Sequence, residues 1–126
     1  MTTDEMRTAI ARVLGWTWVK TTHYWMLWPS DDPIWPPHQR HAEPTDDSPR
    51  DLASVTDWPN DLNACFRDLV PMLKQRGWRP NYRFLPEVGE CWGLTKDDLE
   101  VTGVAPDGHI AMACCLAFLK AQEVQQ

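Results

Sequence analysis

Glycine is scarce in this chain, six residues among 126. None of the six sits in a phosphate-cradling loop, which excludes a nucleotide-hydrolysing P-loop. There is no G-x-S-x-G nucleophile elbow. The four cysteines, Cys65, Cys91, Cys114 and Cys115, form no C-x-x-C pair, so neither a zinc site nor a disulfide framework is expected and the thiols read as reduced. Basic residues are outnumbered, 12 against 18 acidic ones, for a net charge of −6. That balance argues against long nucleic acid, whose phosphates demand a broad basic surface. The longest apolar run, Ile110 to Leu119, is about half of what a membrane span requires. The opening "MTTDEMRTAI" lacks a charged segment leading into an apolar one, so no signal peptide is expected and the cytoplasm is the expected compartment.

Tryptophan and proline are what the chain has in excess, eight and eleven residues, in a globular composition that is 43% hydrophobic. They crowd into "HYWMLWPSDDPIWPPHQRH", residues 23 to 41. Eight indoles cannot all be buried in one small core with every N–H satisfied, so several are expected at a rim, stacked on prolines, with one or two walling a pocket. Trp35 is the indole of this segment counted among the candidate ligand contacts.

Periodicity supplies the elements. Residues 3 to 14 predict a first helix, capped by Thr3 or Asp4, striped by Met6, Ile10, Val13 and Leu14, and stopped by Gly15. "WTWVKTTHYWMLW" predicts one or two extended segments. Six prolines between Pro29 and Pro49 forbid a helix or a central strand, so residues 29 to 58 predict a long irregular loop. Its second half, "EPTDDSPRD", has nothing to bury. A second helix is expected from about Asn60 to Arg76, buried through Leu62, Phe66, Leu69, Val70 and Leu73, with Pro71 kinking or shortening it and Gly77 ending it. Three short strands follow, "WRPNYRFL", "ECWGLT" and "LEVTGVA". A last helix, residues 107 to 122, is apolar on both sides, as expected of a central helix or one covered by a second chain. Through it a homo-oligomer is expected. Strands grouped together with helices outside them indicate a single α+β domain over residues 1 to 126, a small antiparallel sheet packed by three helices in a layered α/β/α-type sandwich.

Several of these landmarks carry a family likeness. "LGW" (Leu14 to Trp16) closes the first helix before a tryptophan- and proline-rich stretch, "DWPNDLNACFRDLV" opens the second, and "HIAMACCLAFLKA" makes an alanine-rich end. This order resembles the phage ABA-sandwich domain family of small phage proteins. The resemblance spans the chain loosely, and its motifs are strongest at the second and last helices. It implies a phage or prophage origin and a layered fold with helices against a sheet. It brings no catalytic residues with it.

The chemistry-bearing residues are few. His38, Arg40 and His41 follow a double proline, and a metal reading would join the two imidazoles to Asp31 or Asp32. Zinc needs three or four fixed ligands, and a proline-broken loop offers no scaffold, so no metal or cofactor is expected. The cysteines lie in apolar surroundings, the usual fate of a free thiol, and His109 opens the last helix, so an enzyme is not expected. The sharpest local signal is "KQRGWRPNYR", residues 74 to 83. In an extended segment Trp78, Pro80 and Tyr82 point one way and Arg79, Asn81 and Arg83 the other. Guanidinium forks hold phosphate oxygens and aromatic rings stack on bases. Arg76, Trp78, Arg79, Tyr82, Arg83 and Trp35 are therefore the candidate ligand contacts. The expected function is that of a phage-encoded, non-enzymatic binding protein sequestering a small anionic nucleotide signal of bacterial antiviral defence. The alternative is an adaptor or inhibitor that engages a host protein through the acidic loop of residues 31 to 57.

Overall fold

A capping box starts the chain. Thr2 Oγ1 accepts from the Glu5 N–H at 3.1 Å, and the Glu5 carboxylate accepts from the Thr2 N–H at 3.2 Å. The cap is thus Thr2 rather than Thr3 or Asp4, because only the T-x-x-E spacing satisfies both orphan donors. Helix α1 runs over Thr3–Val13 and buries Met6, Ile10 and Ala11. In the computed structural model, residues 1–33 and 39–124 are described. Two compact units divide the chain, Met1–Thr56 and Asp57–Gln126.

The first unit continues with β1 (Thr17–Lys20) and β2 (Trp25–Trp28), an antiparallel hairpin in which Trp18 faces Leu27 and Lys20 faces Trp25. The excursion expected to be irregular adds two more short strands. β3 (Arg40–His41) pairs antiparallel with β1, and β4 (Arg50–Asp51) pairs parallel with β2, for the order β3-β1-β2-β4. Side-chain hydrogen bonds, not burial, hold these segments. Arg40 donates to Thr17 Oγ1 and to the carbonyls of Pro29 and Asp32, at 2.9, 2.9 and 2.7 Å. Asp46 accepts from Lys20 Nζ at 2.7 Å, from Trp25 Nε1 at 2.9 Å and from the Ser48 N–H at 2.9 Å. "EPTDDSPRD" therefore has an anchor in its own carboxylate, which composition could not reveal.

The second unit opens on a 3-10 turn, Trp58–Asn60, then α2 (Leu62–Asp68), α3 (Val70–Gln75), β5 (Arg79–Leu85), β6 (Gly89–Lys96), β7 (Leu99–Ala105) and α4 (Ile110–Val124). Asp61 caps α2 by accepting from the Ala64 N–H. The expected single helix is broken at Leu69 by Pro71, which can give no N–H to Arg67 and whose ring crowds that carbonyl. Leu69, Val70 and Leu73 are buried as expected, but Leu62 is only part-buried and Phe66 is 51% exposed, because α2 turns Ala64 and Cys65 to the core instead.

β5-β6-β7 form an antiparallel meander. α4 packs on β6 and β7 and meets the 58–60 turn and α2 on its other side. That is how a helix can be apolar on both sides: Ala111, Ala113, Cys114, Cys115, Ala117, Phe118 and Ala121 are buried, while Met112, Leu116 and Leu119 are part-buried and Lys120 is exposed along the remaining stripe. Gly103 lets α4 close down. A Cβ there would fall 2.1 Å from the Ala113 carbonyl oxygen and 2.4 Å from the Ala117 nitrogen. The α+β class read from the sequence is the class the chain adopts, with helices and two small sheets. Among the described residues, no helix is long and apolar enough to cross a membrane.

Candidate functional site

The basic, aromatic strip of residues 74 to 83 is dealt out by the structure to four different environments. Arg76 caps the end of α3 and donates to Gln122 Oε1. Gly77 takes a left-handed φ of 90°, and the Trp78 N–H returns to the Leu73 carbonyl at 3.0 Å. This is a Schellman ending, in which the residue after the glycine packs on the last turn. Trp78 is accordingly 1% exposed beside fully buried Leu73, with Lys96 Nζ 5.9 Å from its ring centroid. It is a core residue and presents no face to a ligand.

From Arg79 onward the strand alternation takes over. Tyr82 lies opposite Trp92, which lies opposite Gly103, so Tyr82 is on the α4 side of the sheet. Its ring sits 6.2 Å from that of Trp92, and Phe66 meets Trp92 edge-on from α2 at 5.8 Å. The Tyr82 hydroxyl donates to Glu90, a buried carboxylate whose other oxygen accepts from the Gly108 N–H at 3.2 Å. The hydrogen bond to Glu90, with burial second, pushes the Tyr82 phenol up to about 12. Glu90 is the residue sequence reading missed. Nothing in "GECWG" marks its carboxylate as 4% exposed, because its two donors come from a neighbouring strand and from the loop before α4.

Arg79, Asn81 and Arg83 occupy the side away from α4. All three are exposed, in rows with Thr95, Gly93 and Cys91 on β6 and with Glu100, Thr102 and Val104 on β7. Neither the Arg79 nor the Arg83 guanidinium has a hydrogen-bond or ion-pair partner among the described residues. The structure therefore keeps Arg79 and Arg83 on one side of β5, two forks flanking an amide and about 13 Å apart along the strand. It separates them from Tyr82, Trp78 and Arg76. Trp35 lies outside the described residues.

The remaining candidates resolve into local roles. His41 packs edge-on against Trp25 at 5.2 Å, and His38 lies outside the described residues. Among the described residues, no group of three or more His, Cys, Asp or Glu side chains is placed to hold a metal ion. Cys65 Sγ lies 3.9 Å from Cys115 Sγ, and all four thiols are buried. Hydrogen bonds shared with Cys65, reinforced by burial, push Cys114 and Cys115 up. Bonds from those two favour a thiolate at Cys65, and burial opposes it. The Trp58 carbonyl 3.2 Å from its sulfur accepts only from the protonated thiol, so the cluster is a neutral core feature.

Five tryptophans are buried, and acids accept from two of them. Trp25 and Trp58 donate to Asp46 and Asp68, while the Trp18 and Trp92 N–H groups are buried without partners among the described residues. Comparison with protein-family models, curated proteins and solved structures finds no match to this chain.

Proposed function

We propose that this is a phage-encoded, non-enzymatic binding protein that captures a small anionic nucleotide in the host cytoplasm. The observation that carries the reading is the pair Arg79 and Arg83, exposed and without partners among the described residues, on one side of β5 with Asn81 between them. Guanidinium forks left unpaired on a rigid strand are preorganised for phosphate oxygens. Recognition on this side is of phosphate, since the aromatic residues of the strip lie elsewhere. The family resemblance supports the phage origin, and a nucleotide signal of antiviral defence is the phosphate-bearing ligand that such an origin suggests.

A thermal-shift screen of the purified chain against cyclic and linear nucleotides tests the reading. A ligand bound only by the folded state stabilises by about 2.7 kcal/mol at a hundredfold excess over Kd. The expected result is a rise in Tm that Arg79→Ala/Arg83→Ala abolishes. Silence across the panel moves the function to a host-protein adaptor or inhibitor acting through residues 31 to 57. That alternative has an observation of its own: the pinned excursion holds Asp31, Asp32 and Asp47 exposed. A captured host protein that is lost on deletion of 31 to 57 would establish it.

A further inference from the structure

β5 is an edge strand, hydrogen-bonded to β6 and to no other described strand. Its residues are exposed except for half-buried Pro80, and Tyr82 and Phe84 keep 42% and 44% of their surface in solvent. In an antiparallel pair, alternate residues turn their N–H and C=O groups toward the partner and away from it. Proline in an edge strand occupies the outward set, where no N–H is missed. Residues 80, 82 and 84 thus offer the free edge its hydrogen-bonding groups.

We propose that two copies of the chain pair along β5 when a multiply charged phosphate ligand is present, and that this pairing completes the anion site. The inference rests on the anion-binding reading above. A twofold axis normal to the sheet keeps the same side of both copies facing the same way, and the registers that pair most of the strand are those centred on Asn81, Tyr82 or Arg83. Centring on Asn81 sets Arg79 directly against the second copy's Arg83, and centring on Arg83 sets that residue against itself. Like charges directly opposite are destabilising. Centring on Tyr82 sets Arg79 against the second copy's Leu85 and Arg83 against its Asn81. It also sets Tyr82 against Tyr82 and Pro80 against Phe84, an apolar stripe on the other side of the joined sheet.

In that register the four guanidiniums form a zigzag: Arg79, the second copy's Arg83, Arg83, the second copy's Arg79. Diagonal neighbours across a strand pair are about 7–8 Å apart, within reach of long side chains. Without a ligand, this row of charge and the edge proline keep the strand from pairing, as edge strands require. An anion bearing two or more phosphates spans the two copies and reverses the sign of that interaction. Ligand binding and dimerisation are then coupled, each strengthening the other. The interface is isologous and closed, so it stops at a dimer.

Sedimentation of the full chain with and without inorganic tripolyphosphate, and with a cyclic dinucleotide, tests this alongside titration calorimetry. The expected result is a mass that doubles from 14.6 kDa only with the anion, at one anion per two chains. Phe84→Lys, which places charge on the apolar stripe without touching the arginines, is expected to bind one anion per chain and stay monomeric. Phe84→Pro, which removes an outward N–H, provides the same test by another route. A wild-type chain that binds one anion per chain as a monomer overturns the pairing and leaves the anion reading standing. A chain that binds neither probe overturns the anion reading and this inference with it. A dimer indifferent to both anion and Phe84→Lys overturns the inference alone.

Discussion

Asp46 shows how one carboxylate can order a loop that composition marks as solvated. Hydrogen bonds from Lys20 first, and then from Trp25 and Ser48, hold its pKa well below the usual aspartate range. A depressed folded pKa means that the contribution is fully present above the unfolded value of about 3.9 and is lost as pH falls below it. Tryptophan fluorescence of the chain in stepped acid is therefore expected to show a transition below about pH 4. Asp46→Asn should flatten that part of the profile while leaving neutral-pH folding intact. An unchanged acid profile in the variant would remove Asp46 from its anchoring role. The tryptophans follow the same logic: an indole N–H in a core needs an acceptor, and here Asp46 and Asp68 supply two. Trp18 and Trp92 find no acceptor among the described residues, and an unpaired buried donor costs about 1–3 kcal/mol.

At the scale of elements, the positions of helices and strands were readable because each has a local cause. The 3.6-residue stripe of α1, the Gly77 stop of α3, the Pro71 break and the three-strand meander all follow from backbone sterics and side-chain spacing. β3 and β4 were not readable. Two-residue strands carry no period, and their pairing with β1 and β2 is decided by partners far along the chain. Gly103 was likewise silent in sequence, although the fit of α4 onto the sheet depends on it. Gly103→Ala puts a methyl group into helix backbone, where no side chain can swing aside, and overpacking of this kind costs about 1–3 kcal/mol or more. Urea unfolding should show that loss. Gly93→Ala, whose Cβ would stand at an ordinary 3.4 Å from the Asn81 carbonyl, should stay within about 1 kcal/mol of wild type. Equal effects at the two sites would mean that the α4 contact is not the constraint.

For the whole molecule, the division at residue 56 makes a prediction of its own. The second unit has its own sheet, helices and core, with Trp58, Leu69, Leu73, Trp78, Leu94 and Phe118 all essentially inaccessible. A fragment of residues 57 to 126 is expected to fold alone, with a cooperative melt and tryptophan near-ultraviolet circular dichroism. A fragment that melts without cooperativity would show that the unit depends on the rest of the chain. Such a fragment also retains Arg79, Asn81 and Arg83.

The amino-acid sequence by itself determined the α+β class, the order of the main elements and the segment that carries the free arginines. Those properties depend on neighbours within a few residues, through dihedral limits, capping and the alternation of side chains. Only the tertiary structure decided which members of the basic strip share a surface. Trp78 enters the core because it follows a Schellman glycine and meets Leu73, and Tyr82 turns toward α4 because it lies opposite Trp92 and Gly103. Arg79 and Arg83 remain in solvent because, among the described residues, no carboxylate comes to meet them. Burial and pairing are properties of residues brought together from distant parts of the chain, and no local pattern records them.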